Sequence, residues 1–205
     1  MNTDSTFLDD LAAKLGPRPE PLVLPWPVVG NPGAICSFAT VNEWKGCLSN
    51  LSLRSGIPLI VSAKYARAQK LYLVAWLDAD LIKAGELVAL TALELALNDR
   101  YGGVVPTRGK PKKYDPTKPP KDQGKNFSDM LDHMVTVDGL TDDQLPVVHR
   151  YGGSVVELIK RGGTTRPSLV DIRNELAHGA PFGGMPKSGL LEIVRDLIHY
   201  AYRTF

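Results

Sequence analysis

The sequence predicts a mainly helical chain with a proline-rich, partly irregular N-terminal extension. Three observations point there. Asp78–Tyr101 and Lys187–Arg203 carry their apolar residues at helical spacing, and Asn126–Val135 reads as a short helix. Glycine pairs at 102–103, 152–153 and 162–163 mark helix stops. Prolines at 17, 19, 21, 25, 27 and 32 exclude regular helix from one early stretch, because each removes a donor and constrains its neighbour. The division that follows is an extension or small lobe over 1–62 and a helical domain over 63–205.

At 205 residues, with 43% apolar and 22% charged, the chain can bury a core without staples. The net charge of +2 is too small to argue for nucleic acid by itself. Its distribution says more. Arg108 to Lys125 holds seven basic and two acidic residues, so this segment is +5 and the rest of the chain is −3. Two cysteines, Cys36 and Cys47, have no metal-ligand spacing and make no disulfide framework. They read as reduced thiols, and no metal or cofactor is expected. The N-terminal stretch is acidic and lacks a signal-type apolar run, and no run of eighteen apolar residues occurs. The expectation is a cytoplasmic chain without a membrane span.

Taken in order, residues 5 to 15 suit a short amphipathic helix with Phe7, Leu8, Leu11 and Leu15 on one side. The proline run then reads as extended chain strapped to the surface by Trp26, Val28 and Val29, in preference to a ligand for a proline-binding module. Residues 35 to 61 are the least legible part, with a helix over Val41–Leu53 and a short strand over Ile57–Val61. Ala63–Leu77 reads as helix. Asp78–Tyr101 is the strongest helix, with Asp78 or Asp80 as its cap. It is apolar nearly all round, which marks a central helix. Thr91, Glu94 and Asn98 form a narrow polar strip upon it, and a carboxylate there needs a partner or a water-filled cleft.

Residues 102–125 form a basic loop of Gly, Pro and Lys. Two readings stand: a solvated insertion, or an RNA-phosphate tether built from Lys110, Lys112, Lys113, Lys118, Lys121 and Lys125. Thr141-Asp142-Asp143 opens a helical pattern to Arg161 that Pro146 and Gly152-Gly153 interrupt. RYGG occurs at 100–103 and again at 150–153, with no longer repeat around it, and reads as coincidence. Thr165 or Ser168 opens the next helix, with Pro167 in its first turn. In the last helix, Leu190, Leu191, Val194, Leu197, Ile198 and Ala201 face inward; Glu192, Arg195, Asp196, His199 and Arg203 face out.

The chemistry-bearing residues converge on VDIRNELAHGAPF, Val170 to Phe182. On a helical wheel Leu169, Ile172 and Leu176 form the apolar stripe. Asn174 and His178 are neighbours one turn apart on the opposite face, and Arg173 sits at the border with reach around it. An ion pair with Glu94 would fix the guanidinium. Arg, a polar residue and His suit phosphodiester chemistry. A neutral imidazole takes the ribose 2′-OH proton, a guanidinium binds the phosphate and stabilises its growing charge, and Asn174 orients either. One histidine supplies a base or an acid at a given moment, so two copies facing each other would supply both.

RNELAH, Arg173 to His178, resembles the R-x-x-x-x-H signature of the HEPN superfamily (higher eukaryotes and prokaryotes nucleotide-binding), in which a polar residue, often Asn, follows the Arg. The segment from Trp76 to Gly102 resembles the long first helix of such domains, and the resemblance covers about residues 76 to 203. It implies an antiparallel all-α bundle that homodimerises with both motifs in one cleft. It also implies a metal-independent endoribonuclease leaving cyclic phosphate and 5′-OH ends, common in toxin–antitoxin and antiviral-defence systems, where an antitoxin is the protein partner. Arg173, Asn174 and His178 are then catalytic and Glu94 supports Arg173. Where one variant of the family carries a Tyr that a partner nucleotidyltransferase modifies, this chain has Ala180. The same resemblance admits a non-catalytic module binding nucleotide, RNA or a partner protein. A third reading is a helical interaction protein in which RNELAH is accidental.

Overall fold

The computed structural model describes residues 3–105, 126–179 and 185–203. The chain opens with α1 (Thr3–Ala12) and passes through an antiparallel hairpin of β1 (Leu22–Pro25) and β2 (Ile35–Phe38), Leu22 opposite Phe38 and Pro25 opposite Ile35. Then follow α2 (Val41–Ser49), α3 (Leu59–Val74), α4 (Leu81–Tyr101) and α5 (Phe127–Thr136). A 3-10 turn (Asp142–Gln144), α6 (Pro146–Tyr151), α7 (Val155–Ile159), α8 (Leu169–Ala177) and α9 (Leu190–Ala201) complete it. The described chain is mainly helical, and none of its helices is long and apolar enough to cross a membrane.

α4 is the central helix that its composition predicts. Ala89, Leu90, Ala92, Leu93, Ala96 and Leu97 have no solvent contact. α3 packs along it so closely that a Cβ on Gly85 would lie 2.6 Å from Tyr72 Cδ2. α5, α8 and α9 cover its other flanks. Leu8, Leu22, Trp44 and Leu48, ahead of α3, share this core. Trp44 is fully buried and donates from Nε1 to the Tyr72 carbonyl at 2.8 Å, and Trp76 donates to the Gly16 carbonyl at 2.8 Å.

Several expectations are corrected. The proline run supplies β1 and the loop of the hairpin, because between its prolines Leu22 and Leu24 alternate inward with Val23 outward. Trp26 pins it, edge-on to Trp44 at a centroid distance of 4.8 Å, whereas Val28 and Val29 stand exposed. The strand expected at Ile57–Val61 is the start of α3. Pro58 holds an N-cap conformation and its carbonyl accepts from Val61 and Ser62, so Leu59 and Ile60 lie on an exposed first turn. Pro146 begins α6 rather than interrupting a helix, since a first-turn residue has no intrahelical partner to lose. Ser168 is the cap of α8, which places Pro167 just ahead of the helix.

The largest correction concerns α9. Arg203 is exposed and His199 half-buried, but Glu192, Arg195 and Asp196 are buried at 3%, 7% and 2% exposure. α6 and the segment around Asn50 cover the face expected to meet water. The charges there satisfy one another. Arg195 bonds Asp196 at 2.8 Å, Glu192 at 3.0 Å and the Asn50 carbonyl at 2.9 Å. Asp196 accepts from the Val147 N–H at 2.8 Å, and Arg150 reaches Glu192 at 2.6 Å.

Candidate functional site

α8 is started by a capping box. Ser168 Oγ accepts from the Asp171 N–H at 3.2 Å, and Asp171 Oδ2 accepts from the Ser168 N–H at 2.9 Å. The Ser168 hydroxyl, donating to Asp171 Oδ2 at 2.7 Å, and then the Ser168 N–H hold the Asp171 carboxyl below its ordinary range. Leu169 and Ile172 bury the apolar stripe, and Leu176 packs beside it. The opposite side carries Asn174 and His178, both exposed as the wheel requires. His178 is the C-cap just after the helix, its N–H bonded to the Asn174 carbonyl at 2.9 Å. Gly179 follows with φ 67°, a left-handed conformation that ends the helix and that glycine adopts without strain.

Arg173 lies at the border and reaches α4. Its Nη2 donates to Glu94 Oε2 at 2.9 Å and Oε1 at 3.2 Å. Both side chains keep 31% of their surface, so solvent reaches the pair. Nη1 lies 3.3 Å from Asn174 Oδ1. One guanidinium nitrogen thus meets both oxygens of Glu94, and Nε makes no hydrogen bond among the described residues. The carboxylate orients the guanidinium without closing its fork, and an oxyanion can still approach the open side.

The structure therefore brings Arg173, Asn174 and Glu94 into contact and places His178 one turn along the same exposed side of α8. Lys110, Lys112, Lys113, Lys118, Lys121 and Lys125 lie outside the described residues, as do Ala180, Pro181 and Phe182. Among the described residues no cluster of His, Cys, Asp and Glu has a metal-holding arrangement.

Sequence reasoning passed over one charged group on α4, Glu86, which has no solvent contact. Its signal was available. Glu86 stands one turn from both Ile82 and Leu90, on an apolar flank where a carboxylate is out of place.

Comparison of the chain with protein-family models, with curated proteins and with solved structures returns no significant match.

Proposed function

We propose that the chain is a metal-independent endoribonuclease of the HEPN type, acting at a composite site made by two copies. The observation that carries this reading is the Arg173–Glu94 pair beside Asn174, with His178 on the same exposed side of α8. In the reaction, His178 of one copy takes the 2′-OH proton. The 2′-oxygen attacks the adjacent phosphorus, and the 5′-oxygen leaves with a proton from His178 of the second copy. Arg173 neutralises the charge that accumulates on the phosphoryl oxygens, and Asn174 donates to one of them. The products are a 2′,3′-cyclic phosphate and a 5′-OH. A toxin or antiviral effector is the biological role such an activity fits.

The test is incubation of the purified chain with end-labelled RNA in EDTA. Cleavage with cyclic-phosphate ends is expected, falling about 100-fold or more in His178→Ala and Arg173→Ala with the circular dichroism unchanged. Glu94→Gln is expected to give a smaller loss, because it loosens the guanidinium without removing it. RNA that binds and stays intact would replace the enzyme with the non-catalytic module. RNA that neither binds nor is cut would leave RNELAH an accident of sequence.

A further inference from the structure

We propose that the chain binds a small amphipathic acid, an apolar body with one anionic head group, in a cavity behind α8. The cavity measures about 650 Å³, within the roughly 300–1,000 Å³ of small-molecule sites. It lies between the hairpin loop, the α6–α7 turn and the inner side of α8. Pro25, Pro27, Tyr151, Leu158, Ile172 and Leu176 make its walls apolar. Ile172 and Leu176 lie across α8 from Asn174 and His178, so this cavity is separate from the site proposed for RNA, and its ligand does not depend on that proposal.

Two lysines line it, and they differ. Lys83 is engaged, donating to the Met185 carbonyl at 2.8 Å and lying 3.3 Å from Glu86 Oε2. Lys187 is half-buried, and its ammonium has no hydrogen bond or ion pair among the described residues. Its backbone is held in place: the Lys187 N–H donates to Glu86 Oε1, and the next residue's Ser188 Oγ donates to the Pro32 carbonyl at 2.6 Å. The acidic side chain on the wall, Glu175, is exposed, so water solvates it. A half-buried cation on an apolar wall attracts an anion more strongly than a surface lysine does, because the local dielectric is lower. The proline and leucine walls favour an apolar body that displaces water. A carboxylate or a phosphate head meets this chemistry equally.

The full chain is titrated calorimetrically with octanoate, octyl phosphate and octyltrimethylammonium. At least one acid is expected to saturate at one site per chain while the cation does not, and the tighter acid identifies the head group. Lys187→Gln should weaken the acid about tenfold, and Val148→Trp, which fills the cavity from its lining, should abolish binding. If Val148→Trp fails to fold, Lys187→Gln decides alone, since that ammonium makes no hydrogen bond or ion pair among the described residues and acts on Glu86 only through its charge. The proposal is overturned if neither acid saturates the wild type, if the cation binds as well, or if Lys187→Gln binds unchanged. Loss of RNA cleavage in His178→Ala should leave octanoate binding intact, which keeps the two proposals separable.

Discussion

Glu86 sits without solvent contact between the Lys83 ammonium and the Lys187 N–H. Lys83 is within ion-pair range of Oε2 at 3.3 Å, yet that oxygen accepts no hydrogen bond. Burial outweighs these partners and pushes the carboxyl up to about 7, from an ordinary 4.5. The folded chain therefore holds a proton that the unfolded chain has released between those two pH values. Stability falls as pH rises through that window. Glu86→Gln cannot ionise, so its stability relative to wild type should rise by on the order of 3 kcal/mol between about pH 4.5 and 7.5. Urea titrations at both pH values measure it. A constant difference would mean that Lys83 keeps the carboxylate ionised throughout. Arg173 and Glu94 show the contrasting case, a solvent-reached pair that adds less than about 1 kcal/mol to stability. Its value lies in orientation.

Among the elements, α3 and α4 depend on the absence of one side chain. Alanine favours helix over glycine by about 1 kcal/mol, so Gly85→Ala in isolation would stabilise α4. In the fold the new Cβ would meet the Tyr72 ring at 2.6 and 2.9 Å. Tyr72 is buried, and its ring packs edge-on to Trp26 at a centroid distance of 6.4 Å, so it cannot swing away without disturbing that contact. Gly85→Ala is therefore expected to cost about 1–3 kcal/mol, read as a lower urea midpoint at unchanged slope. By propensity alone a glycine inside a helix is a weak point. Packing makes it a contact surface.

At the scale of the molecule, Arg195 joins distant parts of the chain. It ties α9 to the Asn50 carbonyl, and its partners Glu192 and Asp196 hold Arg150 and the Val147 N–H of α6. Arg195→Ala would leave two buried carboxylates short of their cation. The expected loss is about 3–5 kcal/mol, seen as one cooperative transition at lower temperature by both circular dichroism and tryptophan fluorescence. A selective loss of the α6 region with the rest intact would show that the network is local.

How far the fold could be read depends on what each residue answers to. The sequence by itself determined α4, α8 and α9 as helices and the stop of α4 at Gly102-Gly103, because a 3.6-residue apolar period and a glycine pair are local signals. It also placed Asn174 and His178 away from the core, because the helical wheel sets them opposite the apolar stripe, and it offered Glu94 as a partner for Arg173. Only the tertiary structure decided that Glu192, Arg195 and Asp196 turn inward, that the proline run supplies one strand of a hairpin, and that a cavity opens behind α8. Each of those depends on a partner far along the chain. A charged face looks solvent-exposed in one helix until a second element covers it, and no local period records which element that will be.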